Sequence, residues 1–231
     1  MKRLVISDVH IGSKYYRAEA LTAFLKEQKD EYDELILAGD IIDLIKVPEF
    51  TERAKHVLEA INFDKRIIYI VGNHDASFRG FVGHKVFNVE FMKEYVFEEN
   101  GRRFRIQHGD QYDSVGIVRY HACMTILSVL HHVLENLLSW NITSWWTRYQ
   151  LKRRKLRRIW DILKWNDDAD VFIMGHNHVP ECVIWINEDG RLKTYCNTGD
   201  WISHQNYITI VDGVVRLKKY EQNYKDESGD R

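Results

Sequence analysis

Five short apolar runs in this chain each stop at a cluster of Asp, Asn or His, and this limits the fold more than any other feature. Leu4-Val5-Ile6 leads into Ser7-Asp8-Val9-His10, and Leu35-Ile36-Leu37-Ala38 into Gly39-Asp40-Ile41-Ile42-Asp43. Arg66-Ile67-Ile68-Tyr69-Ile70-Val71 leads into Gly72-Asn73-His74-Asp75, Phe104-Arg105-Ile106-Gln107 into His108-Gly109-Asp110, and Val171-Phe172-Ile173-Met174 into Gly175-His176-Asn177-His178. Short β-branched and aromatic runs of this kind read as buried strands. Between the first three, Ala20, Leu21, Phe24 and Leu25, then Ala54, Val57, Leu58 and Ile61, recur at helical spacing. Strand, helix, strand, helix, strand implies parallel pairing through right-handed crossovers. Ligands of such sheets collect beyond the carboxyl ends of the strands, where the first three clusters lie. Asp8 and His10 alternate across Val9, so they point the same way if the strand continues through them. The C-terminal part reads as antiparallel strands over 182–186, 192–197, 207–211 and 214–217, with turns at Asn187-Glu188-Asp189-Gly190 and Asp212-Gly213.

The rest of the composition narrows the class. A chain of 231 residues, 45% hydrophobic, can form one large α/β domain spanning 1–231. Its net charge of −1 creates no global attraction to nucleic acid. Two prolines and no Ser/Gly-rich tract leave no obvious linker. Cys123, Cys182 and Cys196 are odd in number and lack a CxxC pair, which argues against a disulfide framework or a zinc ribbon. They read as inert thiols of a reducing compartment. The N-terminus enters a strand directly and has no signal-type apolar region, so the expectation is a cytoplasmic protein.

The cluster residues are oxygen and nitrogen donors without thiolates. Manganese fits such a set, as do iron, zinc and cobalt, better than calcium or a structural zinc. Asp8, His10, Asp40, Asn73, His108, His176 and His178 suffice for two divalent ions with a carboxylate between them. Such a pair clamps the attacking and leaving oxygens of an in-line displacement, which points to hydrolysis at phosphorus. Any one of these motifs is weak alone, because Gly-Asp or Gly-Asn at a strand end is ordinary turn chemistry. Five together are hard to explain as turns.

The blocks Asp8-x-His10, Gly39-Asp40-x-x-Asp43, Gly72-Asn73-His74-Asp75, His108-Gly109-Asp110 and Gly175-His176-x-His178 resemble the signature of the calcineurin-like metallophosphoesterases. The resemblance runs over about residues 1–200 and implies a four-layer α/β/β/α sandwich with two metals at the strand ends. It would give one metal Asp8, His10, Asp40 and His178, and the other Asp40, Asn73, His108 and His176, with Asp40 bridging. His74 would face the phosphate as the non-ligand histidine, and Asp75 would orient it. Asp43 and Asp110 would stand behind the ligands.

A narrower resemblance is to the UDP-2,3-diacylglucosamine pyrophosphatase branch. It rests on Ser7-Asp8-Val9-His10-Ile11-Gly12, on Ala18-Glu19-Ala20-Leu21 with Phe24-Leu25, and on Gly72-Asn73-His74-Asp75 with Arg79. His108-Gly109-Asp110 with Asp113 and Tyr195-Cys196-Asn197-Thr198-Gly199-Asp200-Trp201 complete it. It implies cleavage of a nucleotide-linked diacyl sugar at its pyrophosphate, releasing UMP and a lipid sugar phosphate. At His74 the chain follows the superfamily, where the branch has Arg.

The stretch from 114 to 166 interrupts the strand pattern and is expected to be a helical cap insertion. Ile117, Met124, Leu127, Leu130, Val133, Leu134, Leu137 and Leu138 form one apolar face. Arg119, His121, His131, His132 and Glu135 break any membrane-spanning window. Trp140, Trp145, Trp146 and Tyr149 precede Lys152, Arg153, Arg154, Lys155, Arg157 and Arg158, a combination that suits lipid headgroups or a lipid-tailed substrate at the inner membrane face. The plainer reading is a hairpin packed on the core or on a second copy in a homodimer. Nucleic-acid contact ranks below both, because no recognised module surrounds the basic residues. Arg79, Asp113, Arg119, Lys152 and Lys155 are the candidate substrate contacts, and His84 and His204 read as ordinary loop histidines. Two other functions remain open: a soluble-nucleotide phosphodiesterase, and a metal-binding interaction module without turnover.

Overall fold

The computed structural model describes residues 1–44, 51–112 and 168–221. Parallel strands β1 (Lys2–Ile6), β2 (Glu34–Ala38) and β3 (Arg66–Ile70) are joined by helices α1 (Ala18–Gln28) and α2 (Glu52–Ala60), as the apolar periodicity predicts. Each strand is buried on both faces, which is why it reads as a continuous apolar run. Leu4, Ile6, Leu35, Leu37, Ile67 and Tyr69 face the helices and meet Leu21, Phe24, Leu25 and Val57. Val5, Ile36, Ala38, Ile68 and Ile70 face the other way.

That second face packs on another sheet. Strands β4 (Lys85–Val86) and β5 (Val89–Met92) extend the first sheet beside β3, and β6 (Glu94–Glu99) and β7 (Arg102–Gln107) begin the second. After β8 (Val171–Met174), the chain forms β9 (Glu181–Ile186), β10 (Leu192–Asn197), β11 (Asn206–Val211) and β12 (Val214–Lys219). The first sheet has the order β12-β11-β1-β2-β3-β5-β4, and the second β6-β7-β8-β10-β9. Phe104, Ile106, Val171, Ile173 and Cys196 of the second sheet fill the layer against the first. Ala169, Phe172, Met174 and Tyr195 make a smaller apolar cluster on its outer side. The mixed α/β architecture with two stacked sheets is the expected fold class. The expected cap over 114–166 lies outside the described residues, as do Asp113, Arg119, Lys152 and Lys155. Among the described residues, no helix is long and apolar enough to cross a membrane.

The four C-terminal strands form two antiparallel hairpins, and these divide between the sheets. β10 pairs with β8 in parallel, whereas β11 pairs antiparallel with β1. The β11–β12 turn has positive φ at both Asp212 (50°) and Gly213 (74°), the conformation a two-residue hairpin loop with right-handed twist requires. Strands β4 to β6 have no sequence expectation behind them. β4 is two residues long and exposed, and β6 begins and ends on Glu, so neither shows a clear apolar period.

At the amino ends of β1 to β3 the layer between the sheets carries charge. Glu34 is fully buried; its carboxylate accepts from Arg3 Nε at 3.0 Å and Arg66 Nη1 at 2.6 Å, with Tyr95 Oη at 3.2 Å. Arg66 also grips Glu90 with two nitrogens, and Arg3 lies 3.9 Å over the Phe97 ring while bonding Glu99. The network ties the first sheet to β6. Glu34→Ala leaves Arg3 buried beside no balancing carboxylate at its Nε, and should cost about 3 kcal/mol or more in urea denaturation.

Candidate metal centre

The carboxyl ends of β1, β2, β3, β7, β8 and β10 meet at one edge of the sandwich. The backbone there leaves strand geometry at once. Asp8 (φ 51°), His10 (54°), Asp40 (54°), His176 (67°) and His178 (59°) all adopt the left-handed conformation, which costs a residue with a side chain free energy. Asp8 and His10 therefore share a side of the loop through two left-handed turns. Strand alternation is not what aligns them, since β1 stops at Ile6, where the apolar run ends. The loops after β1 and β2 are zipped together: Asp8 N donates to Gly39 O (3.1 Å), Val9 N and His10 N to Asp40 O (3.0 Å each), and Ile11 N to Ile41 O (2.8 Å). Buried Val9, Ile11 and Ile41 anchor the zipper.

The seven expected donors converge. His178 Nε2 lies 3.3 Å from Asp8 Oδ1 and 3.3 Å from His10 Nε2. His108 Nε2 lies 3.1 Å from both Asp40 Oδ2 and Asn73 Oδ1. Three sets bring their donor atoms within 4.8 Å of one another: Asp8, His10 and His178; His10, Asp40 and His74; Asp40, His108 and His176. Two ligand atoms about 2.0–2.2 Å from one cation, at tetrahedral or octahedral angles, stand about 2.8–3.6 Å apart, so these spacings fit a divalent ion. The far ring nitrogens are also occupied. His108 Nδ1 is 3.0 Å from Ala38 O, and His178 Nδ1 is 3.4 Å from Asp200 Oδ2, contacts that direct each Nε2 lone pair inward.

The family model of the calcineurin-like phosphoesterases matches residues 1–180. The chain belongs to the calcineurin-like phosphoesterase family. A curated relative, UDP-2,3-diacylglucosamine hydrolase of Porphyromonas gingivalis, is 26% identical over 253 residues, covering 90% of this chain and 93% of the relative. Among solved structures, Vps29 of Chaetomium thermophilum aligns with TM-score 0.49 at 13% identity and 95% coverage of both chains. Yfce, a phosphoesterase from E. coli, aligns with TM-score 0.46 at 15% identity, covering 93% of this chain and 91% of that one.

Within this phosphoesterase fold one expected contact is replaced. Asp75 does not orient His74. It is fully buried beneath the loop and accepts from Ile41 N (3.0 Å), Tyr69 Oη (2.7 Å) and Gly72 N (2.6 Å). The His74 ring instead meets Asp43, with Nδ1 3.2 Å from Oδ1. Asp75 turns back onto Tyr69 of β3, and the loop after β2 brings Asp43 to the His74 ring. Arg79 is half exposed, 3.8 Å from Asp110. His84 serves the β4–β5 region through its backbone. His204 Nδ1 lies 3.0 Å from Asp200 Oδ2.

Asp200, at the end of Asn197-Thr198-Gly199-Asp200, is a contact that the five expected clusters do not include. It also accepts backbone N–H bonds from Ile202 (3.0 Å), Ser203 (2.6 Å) and His204 (3.0 Å). The signal was present, because Asn197-Thr198-Gly199-Asp200 is a sixth polar cluster at the end of an apolar strand.

The electrostatics are those of a site built for positive charge. Burial raises Asp8 above the usual carboxylate range, against the pull of His178 and His108. Burial acts on Asp40 too, but His108 and His74 outweigh it and hold that carboxyl well below its usual range. Burial disfavours a charged His108, yet Asp40 and Asp8 raise it to about 10, while burial and His74 push His10 down to about 3. A cation held there would compete with a proton for the His108 ring.

Three glycines make the convergence physically feasible. A Cβ on Gly175 would collide with the Asp8 carboxylate and Ser7 Oγ, one on Gly72 with the Asp40 carboxylate and backbone nitrogen, and one on Gly39 with the His108 ring. Gly175→Ala should displace Asp8 and weaken manganese binding at least about tenfold by isothermal titration calorimetry, with the far-ultraviolet circular dichroism of the fold retained. Asp200→Asn keeps an acceptor for the three amides but no carboxylate for His178. It should weaken manganese binding about 10- to 100-fold in the same measurement.

Proposed function

We propose that the protein is a two-metal phosphoesterase that hydrolyses a phosphodiester or pyrophosphate bond, and that its substrate is a nucleotide-linked lipid or sugar such as UDP-2,3-diacylglucosamine. The observation that carries the reaction class is the sharing of Asp40 between donor sets on either side of it. In this reading Asp8, His10, Asp40 and His178 hold one divalent cation, and Asp40, Asn73, His108 and His176 the other. Manganese suits the mixture of oxygen and imidazole donors, with iron, zinc and cobalt as alternatives. Bound there, the pair supplies the Lewis acidity for in-line displacement at phosphorus.

The remaining work falls to side chains of the chain itself. His74 is assigned to the phosphate rather than to a cation. Its ring is 28% exposed, more than His178 (12%) or His108 (1%), so it borders the space a substrate must enter. Asp43 at Nδ1 and the edge-on contact with His10, at 4.6 Å between ring centroids, hold the ring so that Nε2 can donate to a phosphoryl oxygen. Asp75 supports the loop from below and touches no reacting atom. Arg79 is assigned to an outer phosphate oxygen, which a guanidinium grips with two nitrogens.

The name of the curated relative supports the lipid-nucleotide substrate. So does the apolar, aromatic and basic stretch over 117–158, which suits acyl chains and headgroups at the inner membrane face. Asp113, Arg119, Lys152 and Lys155 belong to that part of the proposal.

Hydrolysis of an aryl phosphodiester with added manganese tests the reaction class. Asp40→Asn and His108→Ala should each lower the rate about 100-fold or more, and chelation should abolish activity until manganese is restored. Variants as fast as the parent overturn the assignment. Presenting UDP-diacylglucosamine in detergent alongside soluble linear and cyclic nucleotides tests the substrate. Release of UMP from the lipid is expected, and cleavage of soluble nucleotides alone leaves the reaction class standing but removes the lipid substrate. Tight metal binding with no turnover on any of them points to the interaction-module reading.

A further inference from the structure

Cys182 on β9 and Cys196 on β10 are direct partners in the antiparallel register. Opposed residues of such a pair project to the same face, with Cα atoms about 4.5 or 5.5 Å apart according to the type of pair. Disulfides span Cα separations of about 4.4–6.8 Å, so the backbone needs no rearrangement to join these two. Their surroundings differ. Cys182 is exposed and Cys196 fully buried, and both are free thiols. Each thiol acts on the ionisation of the other, which lowers Cys182 to about 7 and, with burial, pushes Cys196 up. Arg102 reaches this face of the sheet: its Nη2 donates to Thr194 Oγ1 at 2.7 Å, and its charge acts on the Cys196 thiol. An accessible thiol that ionises readily, directly opposite a buried second thiol that itself lies near Arg102, matches an attacking cysteine with its resolving partner.

We propose that Cys182 and Cys196 form a reversible dithiol–disulfide site that reacts with small disulfides of the glutathione type, Cys182 attacking and Cys196 resolving. The Cys182 thiolate attacks one sulfur of the small disulfide. A mixed disulfide forms, and the departing thiolate takes up a proton. Cys196 Sγ then attacks Cys182 Sγ, the bond to glutathione breaks, and the Cys196 proton leaves with the second glutathione. Two protein thiols lose two electrons in total, and one glutathione disulfide becomes two thiols. The bond so formed is buried at Cys196 but exposed at Cys182, where reductants reach it, which is the setting of labile rather than structural disulfides. It would tie β9 to β10 one residue pair below Glu181 and Asn197. Beyond that pair run the loops that carry His176 and His178 on one side and Asp200 on the other.

The test uses the full chain and a Cys123→Ser version in buffers of graded reduced-to-oxidised glutathione ratio, quenched with N-ethylmaleimide and mapped by peptide mass spectrometry. A Cys182–Cys196 linked peptide, lighter by two hydrogens and lost on adding dithiothreitol, is expected in both. Cys196→Ala should accumulate glutathione on Cys182, and Cys182→Ser should leave Cys196 unmodified. In the native protein N-ethylmaleimide should modify Cys182 at least about tenfold faster than Cys196. Linked peptides that all involve Cys123, a Cys182 that stays unmodified in oxidising buffer, or a mixed disulfide on Cys182 that never resolves in the parent protein each overturn the proposal.

Discussion

Two buried carboxylates govern the architecture of this site. Asp8 and Asp40 are 0% and 1% exposed, and a charge so placed is costly unless it is paired and fully hydrogen-bonded. The backbone N–H of His176 donates to both oxygens of Asp8 (3.1 and 3.0 Å), and Ser7 Oγ adds another contact. The N–H of His74 donates to Asp40 Oδ1 at 2.8 Å, and His108 covers Oδ2. These amides belong to loops after other strands. The carboxylates therefore draw the strand ends together, and the left-handed backbone and the close glycines follow from that demand. The strain of five left-handed residues is offset by hydrogen bonds that each loop could not make alone.

The space between the sheets is polar at both ends for different reasons. At the amino ends, Glu34, Arg3, Arg66 and Tyr95 satisfy one another, and the charges close on themselves. At the carboxyl ends, Asp8 and Asp40 face histidines, whose charge changes with protonation, so the balance there is open to a cation. Val5, Ile36, Ile68, Phe104, Ile106, Val171 and Ile173 separate the two as a dry layer. That layer keeps the two charge systems electrostatically distinct and holds the strand ends still while the loops diverge.

Partners behind the donors set how precisely the site is held. Ala38 O and Asp200 occupy the outer nitrogens of His108 and His178, and Asp43 does so for His74. The loop bearing Asp200 is itself fastened to the centre, since Trp201 N donates to Asp8 O at 3.1 Å and Thr198 N to Met174 O at 2.9 Å. A change in this loop therefore reaches the donors through direct contacts, not through general loosening of the fold.

Much of this was legible in the linear chain. The parallel β1–β2–β3 unit was, because strands buried on both faces are continuous apolar runs and their helices repeat with period near 3.6. The seven donors were, because Asp, Asn and His at five strand ends have no common packing explanation, and the order of those blocks carries the family. Other features exist only once strands are paired. β9–β10 and β11–β12 look alike as hairpins, and only their register with β8 and β1 assigns them to different sheets. Asp75 adjoins His74 in sequence and Asp43 lies 31 residues before it, and only the paths of the two loops decide which meets the ring. Cys182 and Cys196 are fourteen positions apart with no motif between them, yet antiparallel pairing puts them face to face. Periodicity and residue chemistry are local properties, so the sequence by itself determined most of the elements and the polar clusters that end their strands. Which side chains touch is set by register and loop path, which depend on distant segments, and that was left to the tertiary structure.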